Sequence, residues 1–259
     1  GVLGAAMTDN ASLLALVEHH SLLYADLTDP LSIYAEHNEP TRMSTLWPYA
    51  AARSPDALQS QQVENYTALM AASQTMVAEQ VIAAFSMSRY RTLLDIGGGA
   101  AVFAIAMAER WPQLAVTVAD LPAVSEIAAA NIEAAGLSGR VDVVAADATR
   151  PGLPGGFDVV SLVRILHDHD DERALEILTS AAGALSDNGV LLIAEPMADA
   201  PGAGELIDAY FNVYLLAMGS GRPRTLVELS ELLRQAGFHR IRRRRTPVPL
   251  ITSVVCAQR

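Results

Sequence analysis

Cysteine is almost absent: Cys256 is the only one in 259 residues. That excludes an intrachain disulfide framework and fits a reducing, cytoplasmic setting. No apolar run approaches the length of a membrane span and no signal peptide is visible, so a chain that crosses a membrane is not expected. Basic residues are outnumbered, 18 against 29 acidic, and the net charge of -11 argues against nucleic acid as a partner. There is no internal repeat and no low-complexity segment. The chain opens at Gly1-Val2-Leu3-Gly4 without a methionine, so it reads as an interior piece of a longer protein. What is present is a chain 51% hydrophobic, long enough for one large domain and a smaller one.

The stretch around which the rest is organised is Thr92-Leu93-Leu94-Asp95-Ile96-Gly97-Gly98-Gly99-Ala100-Ala101. An apolar run ends at an acid, passes three glycines and enters an alanine-rich helical pattern, which predicts a strand, a tight turn and a helix start. Counted from Gly97, the last position of a dinucleotide fingerprint falls on Val102, and counted from Gly98 the second glycine falls on Ala100, so a nicotinamide dehydrogenase is a poor reading. Asp95 points the same way, because a carboxylate before the turn repels a pyrophosphate. It suits a ligand with ammonium and sulfonium cations and no phosphate, namely S-adenosylmethionine.

Residues 1–88 read as helices joined by proline-containing turns. An amphipathic helix over 11–23 is broken by Asp26 to Pro30, and a long helix over 61–85 carries Val63, Tyr66, Met70, Val77, Val81 and Phe85 near one face. Such a stripe usually faces a core, yet Tyr66, Met70 and Trp47 are also candidates for an apolar substrate wall. From Arg91 strands and helices alternate: strands 93–96, 115–119, 141–145, 157–163 and 190–195, with helices 100–110, 123–135 and 172–185 between them. Asp187-Asn188-Gly189 is expected to turn the chain before the fifth strand. Helices over 205–218 and 225–236 and strands over 240–245 and 251–257 complete it. Repeated β-α-β units predict an α/β fold with a doubly wound, mostly parallel sheet over 89–259, preceded by a helical segment over 1–88.

Asp95, Asp120, Asp147, His167 and Glu195 fall at or just past the ends of successive strands, which this topology gathers on one rim. Asp120 can accept the two hydroxyls of a ribose, or cap the helix that starts at Pro122. Asp147 is placed for an adenine amino group, or simply shapes its turn. The run Arg164-Ile165-Leu166-His167-Asp168-His169-Asp170-Asp171-Glu172 carries two histidines among carboxylates. A metal there would need a third ligand from elsewhere, so no metal site is expected. An imidazole beside carboxylates that could orient it suits a general base. The arginines at 242–245 could meet anionic lipid, or could form a charged edge strand that blocks sheet-to-sheet pairing.

At these residues the chain resembles the S-adenosylmethionine-dependent O-methyltransferases of the caffeic acid/acetylserotonin type. Within that group it is most similar to bacterial hydroxyneurosporene (demethylspheroidene) O-methyltransferases of carotenoid synthesis. The resemblance rests on His19-His20-Ser21-Leu22-Leu23-Tyr24, Trp47-Pro48-Tyr49, the glycine turn, Asp120-Leu121-Pro122, the run from Ser161 to Asp171, Glu195-Pro196-Met197, Tyr214-Leu215-Leu216-Ala217-Met218 and Gly221-Arg222-Pro223-Arg224. It implies a Rossmann-like methyltransferase domain and a helical N-terminal domain that makes a homodimer. It implies S-adenosylmethionine on Asp95, Gly97, Gly99 and Arg164, its ribose by Asp120 and Leu121 and its adenine by Asp147 and Ala148, with S-adenosylhomocysteine as product. It implies His167 as general base, Glu195 as the acid that orients it, and Tyr210 and Tyr214 on the wall of an apolar acceptor. Ala101 replaces the last glycine of the first motif, and Pro223 stands where plant enzymes carry a second acid. A phenolic or polyketide hydroxyl is the alternative acceptor, and a homologue that binds the cofactor without transferring methyl is the alternative function. Peripheral contact with a membrane fits a polyene acceptor.

Overall fold

Alternation along the strands decides the layering. Leu93 faces one side of the sheet and Leu94 and Ile96 the other, each into its own buried cluster. In the computed structural model, which describes residues 11–34, 40–46 and 60–259, the first helices are α1 (Ala11–Asp26), α2 (Pro30–Tyr34), α3 (Arg42–Leu46) and α4 (Ser60–Ala84). α1 runs three residues past the expected 11–23 and breaks within the expected stretch from Asp26 to Pro30. Asp26 stays helical, and its carboxylate accepts from the Arg42 and Met43 N–H groups at the start of α3, at 3.1 and 3.0 Å. Trp47 lies outside the described residues.

Seven strands follow: β1 (Thr92–Ile96), β2 (Ala115–Asp120), β3 (Val141–Ala145), β4 (Phe157–Val163), β5 (Leu185–Glu195), β6 (His239–Arg244) and β7 (Ser253–Gln258). They pair in the order β3-β2-β1-β4-β5-β7-β6. The first five are parallel, and β7 runs antiparallel to both β5 and β6. The chain moves outward from β1 to β3 and returns to β4 on the other side of β1, leaving a crevice at the strand carboxyl ends where the direction reverses. The sheet is therefore the doubly wound, mostly parallel one that the sequence predicts.

Helices α5 (Val102–Arg110) and α6 (Pro122–Ala134) cover one face, joined by Val77 and Val81 of α4 and by Phe85 just past its end. Helices α7 (Asp171–Ala184) and α9 (Leu226–Gln235) cover the other. Helix α8 (Gly204–Met218) packs Tyr214, Leu215 and Met218 against Leu23, Ile33 and Met43 of the first three helices. The turn expected at Asp187-Asn188-Gly189 is instead an excursion within β5, where Leu185 pairs with Phe157 and Val190 already pairs with Val159. Strand β6, with Arg242, Arg243 and Arg244, is one edge of the sheet, and β3 is the other. None of the described helices is long and apolar enough to cross a membrane.

Candidate active site

The crevice opens into a cavity of about 430 Å³. Its floor is the turn from Gly97 to Gly99. Gly97 and Gly99 sit at φ +67 and +57, and Ala101 keeps the left-handed backbone at φ 64 although it is not glycine. A Cβ on Gly97 would overlap Ile165, whereas one on Gly99 would meet nothing within 4 Å. The turn thus lets backbone come close to whatever the cavity holds.

Asp120 ends β2 beside that turn. Its two carboxylate oxygens accept from the Gly99 N–H at 2.8 Å and the Leu121 N–H at 2.7 Å. Burial pushes its pKa up to about 6 against those two hydrogen bonds. Each oxygen keeps a lone pair for a ligand hydroxyl. Asp147 also lines the cavity, yet its carboxylate is engaged in its own turn. It accepts from the Thr149 N–H at 2.9 Å and hydroxyl at 2.7 Å, and pairs with Arg150 at 3.3 Å. Leu121 and Ala148 line the same wall.

Asp95 is placed differently from the expectation. It lies inside β1, paired between Val118 and Ser161, and its carboxylate is buried beneath the glycine turn, outside the cavity lining. The two-residue period that turns Leu93 inward turns Asp95 inward too. Its Oδ1 accepts from the Ser161 hydroxyl at 2.7 Å, while Oδ2 has no partner. Burial, opposed by that hydrogen bond and helped by the charge of Asp120, lifts its pKa to about 7.

His167 sits on a short 3₁₀ turn after β4 and is 3% exposed, at the wall of the cavity. Glu195, at the end of β5, accepts from its Nδ1 at 3.0 Å. The same carboxylate also accepts from the N–H groups of Ile165, Leu166 and His167 at 3.0, 2.7 and 2.8 Å. One acid therefore shapes the turn and orients the ring. Asp168 occupies the other ring nitrogen, with Oδ1 at 3.0 Å from Nε2. Burial opposes charging of the ring, but the Asp168 and Glu195 carboxylates outweigh it and hold its pKa up to about 9.

The loop after α8 clamps this turn from outside. The Arg224 guanidinium, 4% exposed, donates to the Leu166 and His169 carbonyls at 2.6 and 2.8 Å and to Asp171 at 2.9 Å. The Arg222 N–H donates to the His167 carbonyl at 2.8 Å, and the Ser220 hydroxyl to the Asp168 carbonyl at 2.6 Å. Gly221 lies so close that a Cβ would overlap the His167 carbonyl oxygen. The roles of Gly221 and Arg224 have no local signature in the sequence, because each meets a turn more than 50 residues away.

The roof comes from the helices. Arg164, in the left-handed region at φ 58, lines the cavity and donates to the Ser73 hydroxyl and, at 3.7 Å, to the Met70 sulfur of α4. Met70 and Tyr214 line the cavity. Tyr210 does not; it stacks on Tyr214 at 5.8 Å and its hydroxyl meets His20 Nε2 at 2.5 Å. The reason is again packing, since α1 lies across α8 and takes that ring. Tyr66 belongs to α4, but its side chain is not among those described.

The unmet polar atoms test which ligand this cavity fits. Gln74 Oε1, on the cavity wall, is a buried acceptor without a partner, whereas the unpartnered Asp95 Oδ2 lies beneath the turn, out of a ligand's reach. An unmet amide oxygen on a wall that also carries Asp120 and Asp147 suits a ligand rich in N–H donors and positive charge and disfavours a pyrophosphate. Together with a ribose-ready Asp120, these residues fit S-adenosylmethionine.

The O-methyltransferase domain family matches residues 24–239. The chain is 35% identical over 259 residues to demethylspheroidene O-methyltransferase of Rhodobacter capsulatus, covering 99% of this chain and 63% of that protein. It is 35% identical over 181 residues to 3-hydroxy-5-methyl-1-naphthoate 3-O-methyltransferase of Streptomyces sahachiroi, 70% of this chain and 52% of that one. The chain thus spans between half and two thirds of the length of these relatives. Among solved structures it is similar to the S-adenosylmethionine-dependent methyltransferase SibL in its apo form, with a TM-score of 0.78 and 26% identity over 100% of this chain and 77% of that one. A doubly wound sheet with a glycine-floored, acid-rimmed cavity, matched along most of its length by one domain family, makes this chain a member of the O-methyltransferase family.

Proposed function

We propose that the full-length protein transfers a methyl group from S-adenosylmethionine to a hydroxyl of an apolar small molecule, and that the acceptor is the tertiary hydroxyl of a 1-hydroxycarotenoid. The observation that carries the reading is an imidazole, oriented by Glu195, on the wall of the cavity that the glycine turn and Asp120 also line. The carotenoid acceptor draws its support from the demethylspheroidene O-methyltransferases, 35% identical over 99–100% of this chain.

Bound cofactor would supply a methyl group on a sulfonium, ready for in-line displacement by an oxygen. The chain's own part is mainly to hold the reactants, and such positioning can be worth about 7–11 kcal/mol. Asp120 takes the ribose hydroxyls with the lone pairs its N–H partners leave free, and Ala148 with Asp147 borders the adenine. His167 takes the acceptor's proton at Nε2, a step worth about 10²–10⁴-fold. For that, Asp168 must leave Nε2 to the acceptor, while Glu195 keeps Nδ1 and steadies the imidazolium that forms. A tertiary alcohol is a weak acid, so its proton leaves late and positioning dominates. The full-length protein acts in this reading as a cytoplasmic homodimer, supported by the apolar Tyr24, Leu31 and Tyr34 that α1 and α2 leave exposed.

A phenolic acceptor is the second reading, favoured by the naphthoate O-methyltransferase relative. Incubation with labelled S-adenosylmethionine and a panel holding a 1-hydroxycarotenoid and a hydroxynaphthoate separates the two. Label on the carotenoid alone is the expected result; label on the naphthoate alone replaces the acceptor. Cofactor binding with no labelled product on any acceptor would replace the activity by a binding role.

A further inference from the structure

The strand order gives the cavity a direction. Reading β3-β2-β1-β4, the carboxyl ends present Asp147, then Asp120, then the glycine turn, then Arg164. Adjacent strands lie about 4.8 Å apart, so these groups form a line rather than a cluster. With the nucleoside over β3 and β2, the amino-acid end of the cofactor must lie toward β4 and the roof helix α4.

Two groups wait there. Arg164 donates to a hydroxyl and a thioether, and no carboxylate among the described residues pairs with it. A guanidinium has five N–H donors, so several remain for a ligand. Beside it, Gln74 presents a buried Oε1 with no hydrogen-bond partner. Gln74 follows Ser73, which holds Arg164, and lies one turn beyond Met70, which also touches it. It occupies a position in the stripe Met70, Gln74, Val77, Val81 where every other member is apolar. An amide at such a position costs free energy unless something outside the protein donates to it.

Resting on the cofactor reading above, we infer that Gln74 accepts from the ammonium of the cofactor's methionine end while Arg164 takes its carboxylate. The pairing is complementary in chemistry: one acceptor and one fork of donors, on neighbouring supports, for a group that carries three N–H donors and one carboxylate. Exchanging the amide oxygen and nitrogen would leave a buried donor in place of a buried acceptor. Gln74 would then face the carboxylate, and the variants below separate the two arrangements.

The test is calorimetric binding of two probes, S-adenosylhomocysteine and 5′-methylthioadenosine, which keeps the nucleoside and thioether but lacks the amino-acid end. Gln74→Leu should weaken S-adenosylhomocysteine about ten- to a hundredfold and leave methylthioadenosine unchanged. Gln74→Glu, which can only accept, should retain S-adenosylhomocysteine binding. Unchanged S-adenosylhomocysteine affinity in Gln74→Leu overturns the inference. So does an equal loss for both probes, the mark of a merely structural role. Loss of S-adenosylhomocysteine in both variants with methylthioadenosine retained assigns Gln74 to the carboxylate instead and overturns it as well. A wild-type protein that binds neither probe overturns the cofactor reading itself.

Discussion

At the β1–β3 end of the cavity, the polar contacts are short in sequence: Asp120 to Leu121, Asp147 to Thr149, and Gly99 to Asp120 across 21 residues. At the β4–β5 end they are long: His167 to Glu195 across 28 residues, Arg224 to the Leu166 carbonyl across 58, and Arg164 to Ser73 across 91. Behind that end, His19 Nε2 meets the Tyr214 hydroxyl at 2.7 Å across 195 residues. The first end is a frame that one crossover unit builds for itself. The second is assembled from the turn after β4, β5, α4 and the loop after α8 and holds the chemistry, so a packing change around His167 should reach turnover before cofactor binding, while one around Arg164 and Gln74 should reach the cofactor first.

The largest expected break in this comparison is His167→Ala. Turnover should fall about 10²–10⁴-fold while calorimetric affinity for S-adenosylhomocysteine holds, because the ring lies at the far end from Asp120. Unchanged turnover would remove His167 as the base.

Next in size is a pair of glycine substitutions. Gly221→Ala and Gly99→Ala share the left-handed backbone, at φ +81 and +57, which costs a side chain about 1–2 kcal/mol. Only Gly221 would also drive its Cβ into the His167 turn, adding about 1–3 kcal/mol of overpacking. Urea unfolding should therefore rank Gly221→Ala as clearly the less stable. Equal losses would mean the loop after α8 does not clamp the turn.

The smallest effect is on pH dependence. The His167 ring is held charged up to about pH 9, and a charged ring cannot accept a proton. The rate should rise with pH and level off near 9, and Asp168→Asn should move that limb to lower pH. The folded pKa lies above the ordinary imidazole value of about 6.5, so the ring's charge stabilises the fold fully below about 6.5 and that contribution fades as pH rises through about 9. A rate profile that ignores Asp168→Asn would sharpen the base assignment toward another group.

Legibility follows the same division. The strands, the glycine turn and the acids at strand tips could be read because each depends on a two-residue alternation or a turn preference that acts locally. Asp95 shows the limit of that reading. Its place before the turn was visible, but whether its carboxylate entered the cavity depended on the sheet register, which buried it. Tyr210 and Tyr214 lie one turn apart on α8, and only the crossing of α1 decided that Tyr214 lines the cavity and Tyr210 meets His20. Gln74 left a faint trace, a polar residue in an apolar stripe, whose meaning required the cavity beside it.

By itself the amino-acid order determined the alternation of strand and helix, the left-handed turn and the row of polar residues at strand ends, because backbone preference and hydrophobic period act over a few residues. The tertiary structure alone decided that His167 is gripped at both nitrogens, that Arg224 and Gly221 brace its turn, and that Arg164 meets α4. Those are meetings between groups far apart in the chain, and charge and hydrogen bonding act only once folding has brought them within about 3 Å.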